Sequence, residues 1–292
     1  MKRYKSEDVE KLQVSQVFYT KRFVLTVDRK LCKGCVICKL VCPRDAITIK
    51  PAPENADGSV SAPLIDVDEN KCDFHGICAV VCPFSAIKIS INGNEEIPAV
   101  SKDVFPVLTR DIEIDSSKCE PSCTKCGDKC PLGIISVEAP KQASGKQSVS
   151  VETELCAGCQ ICREVCPTDA VKVTKFFEGS ICINTELCPD GCRSCLDVCP
   201  VDALCLGDDG KISVNDTNCI YCGACQIVCA NEEALDIDRT LVRHSPIESG
   251  AWNKGLERMT STAALNKELA AARTEKIRAA VNNLLQEGSS NE

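Results

Sequence analysis

The spacing Cys32-x2-Cys35-x2-Cys38-x3-Cys42-Pro43 restricts what this chain can fold into more tightly than any other feature. Three thiolates two residues apart turn inward on a short loop and grip three corners of one iron–sulfur cube, while the fourth lies too far along to reach the same cube. The pattern returns at Cys72/Cys78/Cys82, Cys119/Cys123/Cys126/Cys130, Cys156/Cys159/Cys162/Cys166, Cys188/Cys192/Cys195/Cys199 and Cys219/Cys222/Cys225/Cys229. Of 25 cysteines, 23 fall in these six runs, so the fold is organised around them.

The fourth cysteine is expected to begin a helix and to ligate the cluster of a neighbouring run, as in two-cluster ferredoxins, so that two runs make one folding unit. Two other chemistries use crowded cysteines. A disulfide framework belongs to short exported chains, and the N-terminal MKRYKSEDVEKLQ carries charge with no apolar region behind it, which reads as a cytoplasmic chain. Zinc sites use paired C-x2-C units but not a 2-2-3 spacing closed by proline.

Short segments of period-two alternation, which read as strands, precede the runs (RFVLTVD, APLIDVD, DIEID, SVSVE, SICIN, KISVN) and follow most of them (AITI, AIKISI, IISVE, AVKV, ALCL, ALDID). The repeated unit is strand, cluster loop, short helix, strand. The fold class expected is α+β: three tandem bacterial-type two-[4Fe-4S] ferredoxin domains plus a C-terminal amphipathic helix. Runs 3 and 5 share C-x3-C-x2-C-x3-C with Pro121 or Pro189 in the loop, whereas runs 4 and 6 revert to C-x2-C. That alternation favours pairing runs 1 with 2, 3 with 4 and 5 with 6, with nested pairing as the alternative. The domains expected are 22–97, 107–178 and 179–243, flanked by extensions 1–21 and 244–292.

Run 2 has His75 where its second cysteine would stand. Imidazole is a legitimate cluster ligand that removes negative charge and raises the potential; a [3Fe-4S] cluster lacking that corner, or a site closed by water, are the alternatives. Run 6 has Ala230 in place of the closing proline, which alters the backbone and not the ligation. Cys182 and Cys205 lie outside every run and read as small buried residues without a role.

In the C-terminal extension Leu265, Leu269, Ala272, Ile277, Val281, Leu284 and Leu285 follow helical spacing between Ser261/Thr262 and Gly288, predicting a helix over about 262–287 that packs on its own domain or on a partner. Ser6 to Tyr19 is a weaker helix candidate. Gly93 to Arg110 and Pro140 to Gln147 read as linkers. Only 4% of residues are aromatic, so bound clusters are expected to fill the interior and metal binding to be one event with folding. The formal charge is −8, falling to roughly −19 with clusters loaded. That balance argues against nucleic acid and anionic membrane surfaces as partners. No apolar stretch approaches a membrane span. The sequence has no dinucleotide or Walker A glycine motif and only two histidines, His75 and His244, so it reads as a carrier of electrons without a catalytic site or a substrate pocket.

With PLIDVDENKC, AVVCPFSAIKISING and RTLVRHSPIESGAWNKGLERM added to the cysteine motifs, the chain resembles the archaeal polyferredoxins, in particular the polyferredoxin subunit of tungsten- or molybdenum-dependent formylmethanofuran dehydrogenase. The resemblance implies an anaerobic archaeon and CO2 reduction in methanogenesis. It also implies low-potential electrons passing between soluble ferredoxin or a heterodisulfide reductase-type complex and the W/Mo-pterin catalytic subunits. A methanogen hydrogenase partner and a free electron-storage protein are the other readings.

Overall fold

A computed structural model describes residues 2–50, 59–138 and 148–260. Its first unit contains β1 (Lys2–Glu7), β2 (Lys11–Val17), β3 (Arg22–Asp28), α1 (Ile37–Val41), β4 (Ile47–Lys50), β5 (Leu64–Val67), α2 (Ile77–Val80), β6 (Ile87–Ile91), β7 (Asn94–Glu95) and α3 (Pro98–Ser101). The strand before run 1 pairs antiparallel with the strand after run 2, β3 with β6, placing Leu25 opposite Ile89 and Val27 opposite Ile87. The two inner strands, β4 and β5, pair with each other. Leu25, Val27, Ile47, Ile65, Val67, Ile87 and Ile89 are buried together with Cys38, Cys42, Cys72 and Cys78. Period-two alternation thus presents one apolar face of each ribbon to the cysteine loops.

The same plan repeats twice. The second unit has β8 (Asp111–Ile114), α4 (Lys125–Asp128), β9 (Ile135–Glu138), β10 (Ser148–Val151), α5 (Ile161–Glu164) and β11 (Val171–Thr174), with β8 on β11 and β9 on β10. The third has β12 (Phe177–Ile183), α6 (Ser194–Asp197), β13 (Leu204–Leu206), β14 (Ile212–Val214), α7 (Ala224–Ile227), β15 (Leu235–Val242) and α8 (Gly250–Met259). There β12 pairs with β15 and β13 with β14. In each unit, then, strands bracket two consecutive runs. One apolar cluster contains residues of all three units, including Cys35, Val81, Ala157, Cys159, Cys219 and Cys222.

Three expectations need correction. The segment Ser6 to Tyr19 is not helical: β1 and β2 form a hairpin that extends the first sheet in the order β1-β2-β3-β6-β7. Leu12 and Val14 are fully buried at period two, and charged neighbours do not make a helix of a period-two stripe. The outer strand β1 carries Lys2, Arg3 and Lys5, a charged edge that discourages further pairing. The segment 93–110 is packed rather than a simple linker. It holds α3, the buried Ala99, Phe105 and Leu108, and a bridge from Leu108 to His244.

The fourth cysteine sits at or just past the end of a helix instead of beginning one. Cys42 is the C-cap of α1, and the third cysteine lies within the helix, as do Cys38, Cys78, Cys126, Cys162, Cys195 and Cys225 in their runs. Finally, the described C-terminal helix is α8. It is N-capped by Ser249 and buries Trp252, Leu256 and Met259 at i, i+4 and i+7. The helix expected over 262–287 and the linker at 140–147 lie outside the described residues. Among the described residues, no helix is long and apolar enough to cross a membrane.

Candidate iron–sulfur sites

Each loop is bent by a residue in the left-handed region directly before its second ligand position: Gly34, Phe74, Ser122, Gly158, Gly191 and Tyr221 have φ from 50° to 72°. Glycine is required at Gly34, where a Cβ would lie 2.4 Å from the Pro63 carbonyl oxygen. A second left-handed residue follows five of the fourth cysteines, at Asp45, Ser85, Gly133, Asp169 and Asp202. In runs 1, 2, 4 and 5 it turns the amide of the next residue back onto sulfur: Ala46, Ala86, Ala170 and Ala203 donate to Cys42, Cys82, Cys166 and Cys199 Sγ at 3.3–3.4 Å. The C-P-x-(D/S)-A signature of runs 1, 2, 4 and 5 encodes this turn. Run 6 lacks the turn, and Cys229 Sγ instead donates to the Asn231 carbonyl at 3.0 Å.

The fold gathers thiols from partner runs. Cys32, Cys35 and Cys38 come within electrostatic reach of Cys82, and Cys72 and Cys78 of Cys42. Cys119, Cys123 and Cys126 gather with Cys166, and Cys156, Cys159 and Cys162 with Cys130. Cys188, Cys192 and Cys195 gather with Cys229, and Cys219, Cys222 and Cys225 with Cys199. Every group takes three positions from one run and the fourth cysteine of its partner, the division a pair of cubes needs.

The donors fit such clusters. Burial pushes the Cys72, Cys159 and Cys195 thiols up to about 11 and those of Cys162 and Cys222 to about 12, with Cys78 and Cys225 raised further. Thiolates at these places therefore need a metal to hold their charge. Among the described residues no three Cys, His, Asp or Glu converge as ligands of one ion would. Three of the groups surround small cavities instead, one of them lined by Cys42, Cys72, Cys78 and His75.

His75 occupies the second-ligand place of its loop. Its Nδ1 accepts from the Ile77 N–H at 3.1 Å, the bond that Cys35, Cys159 and Cys222 sulfurs accept from Ile37, Ile161 and Ala224. Nε2 lies 3.2 Å from Asp73 Oδ1. Burial lowers the imidazole pKa and Asp73 opposes it. Cys182 and Cys205, expected to be buried, are exposed on β12 and β13, because alternation turns them to the outer face of two-stranded ribbons. Sequence reading offered no sign of one further feature, an open cleft of about 640 Å³ walled by Val80, Ile97, Val100, Leu108, Arg110 and Glu154.

Residues 31–86 and 102–170 match the 4Fe-4S dicluster domain family, covering runs 1 to 4. A ferredoxin of Methanothermococcus thermolithotrophicus is 33% identical over 63 residues, which is 21% of this chain and 95% of that protein. The chain belongs to the 4Fe-4S dicluster ferredoxins. A longer match, the thiosulfate reductase electron transfer subunit PhsB of Salmonella typhi, is 26% identical over 177 residues, 56% of this chain and 80% of that one. Among solved structures, a chain of the formate dehydrogenase–heterodisulfide reductase–formylmethanofuran dehydrogenase complex from Methanospirillum hungatei superimposes on this ferredoxin with a TM-score of 0.79. Its identity is 32%, over 89% of this chain and 91% of that one. This ferredoxin is an iron–sulfur electron-transfer protein, similar in structure to that component of the Methanospirillum hungatei complex.

Proposed function

We propose that the chain is an electron-transfer polyferredoxin subunit. It would hold six clusters, one in each cysteine group, and carry low-potential electrons to or from the catalytic subunits of a formylmethanofuran dehydrogenase. The observation that carries this reading is likeness at 32% identity over nine-tenths of both chains to a component of a complex containing that enzyme. Twenty-three cysteines are the ligands, and His75 is the remaining donor of the second site. There, imidazole completes the set of Cys42, Cys72 and Cys78, or a three-iron cluster sits on those three thiolates. The clusters supply reversible one-electron storage. The chain supplies thiolates, N–H donors to sulfur and burial, which set each potential. The subunit has no catalytic site of its own, and its partners are cytoplasmic.

The test is anaerobic capture of the complex through this subunit, with metal analysis of everything retained. Tungsten or molybdenum beside iron is the expected outcome. Nickel in its place assigns the chain to a hydrogenase complex, and iron alone to a free carrier or storage protein.

A further inference from the structure

Three cations stand where the three ferredoxin units meet, Arg239 buried and Arg110 and Lys175 half-buried, and each lies between two different units. Arg110 donates to the Cys82 and Pro83 carbonyls of the first unit at 2.7 and 3.0 Å and to the Cys156 carbonyl of the second. Its guanidinium lies 5.1 Å from the Phe176 ring centroid. Lys175 Nζ donates to the Asp216 and Cys219 carbonyls of the third unit at 2.6 and 2.8 Å, and its charge reaches Cys159 of the second. Arg239 is 5% exposed and donates Nε to the Tyr221 carbonyl at 2.7 Å. It faces Cys222 of the third unit and Cys35 of the first. Its Nη2 is buried and without a hydrogen-bond partner. A Cβ on Gly223 would lie 3.0 Å from Val36, so the loops of runs 6 and 1 touch at this point.

The junction is therefore closed: Arg110 joins units one and two, Lys175 two and three, Arg239 three and one. None of the three forms an ion pair with a carboxylate among the described residues, although Glu154 acts on Arg110, and Asp216 and Glu178 act on Lys175 more strongly than Cys159 does. A buried cation without an anion is costly. The acidic group acting most strongly on each is a cysteine, Cys82 on Arg110, Cys219 on Lys175 and Cys222 on Arg239, and each cation also reaches a cysteine of one further group, so three cysteine groups share the three cations between them.

We propose that Arg110, Lys175 and Arg239 are the charge partners of the three inner clusters, those held by Cys35 and Cys82, by Cys156 and Cys159, and by Cys219 and Cys222 with their co-ligands. One-electron reduction adds a negative charge to a cluster, so a neighbouring cation favours the reduced form and raises the potential. Electrons from a low-potential one-electron donor, entering at the outer cluster of any unit, collect at the inner three and leave by another unit. The chain is thus a three-armed junction and not a linear wire, and these three residues tune its centre.

This inference rests on the six-cluster reading, and the test separates the two. Full-length wild type, Arg239→Gln and Arg239→Lys are loaded anaerobically, their iron and sulfide are counted, and each is titrated redox-potentiometrically by EPR. A wild-type count well short of six clusters sinks the six-cluster reading before any variant is considered. With wild-type iron in place, Arg239→Gln is expected to move two clusters to lower potential by about 59 mV, a tenfold change for a one-electron couple. The other clusters stay in place, and Arg239→Lys returns close to wild type. No shift, or an equal shift of every cluster, at unchanged iron content overturns the proposal. Should Arg239→Gln lose iron, Lys175→Gln is judged by the same criterion on the pair of clusters it separates.

Discussion

At the scale of single residues, the six cysteine groups could be read from spacing alone, because the same spacing recurs in every run and the folded loops gather those thiols. His75 could be read only as a position. Its loop has the same left-handed residue before it and the same amide aimed at it as the loops with cysteine there. Replacing it tests the chemistry: His75→Cys exchanges a neutral imidazole for a thiolate and is expected to lower the potential of that site's cluster, seen by EPR-monitored titration. An unchanged potential means the histidine is no ligand. Asp66 is a second informative residue. Burial raises its pKa, but Lys5 of β1 and Lys50 of β4 more than offset that and bring it to about 2. A depressed carboxylate stabilises the fold above its unfolded pKa of about 3.9, and that contribution is lost as pH falls from there through about 2. Asp66→Asn should cost about 1 kcal/mol once screening is allowed for, and should quicken hydrogen exchange in β1 at neutral pH but not at pH 2.

Among elements, the paired ribbons around the runs were legible because alternation, not length, defines them. The N-terminal hairpin lies hidden among charged residues, and the period-two spacing of Leu12 and Val14 is fulfilled by pairing with β1 on one side and β3 on the other. Helix α8 went unseen because its apolar residues are few and the glycines at 250 and 255 weaken its intrinsic propensity. Tertiary contact makes it: Trp252 packs edge-on to Phe105 at 5.3 Å, and Arg258 donates to the Cys42 carbonyl at 3.0 Å. Following β15, α8 therefore straps the third unit to the first. Trp252→Ala should cost about 3–5 kcal/mol by opening a cavity there. Chemical denaturation should then show the first and third units separating, whereas one unchanged transition would rule out the strap.

For the molecule as a whole, sequence spacing reached the repeat of units but not their arrangement, since nothing local records which loops face each other across domains. The shared core sets cysteines among aliphatic and aromatic residues, and buried thiols whose pKa values are driven up cannot supply the missing anions on their own. Folding should therefore depend on loading. A chain stripped of iron by a chelator under reducing conditions is expected to lose tertiary structure, and near-ultraviolet circular dichroism with a cooperative melt for the stripped chain would contradict this. The account depends most on six clusters per chain, so the direct measurement is iron and acid-labile sulfide on the anaerobically purified protein. It predicts about 23 to 24 iron atoms per chain; a value near 16, or zinc in place of iron, would contradict it.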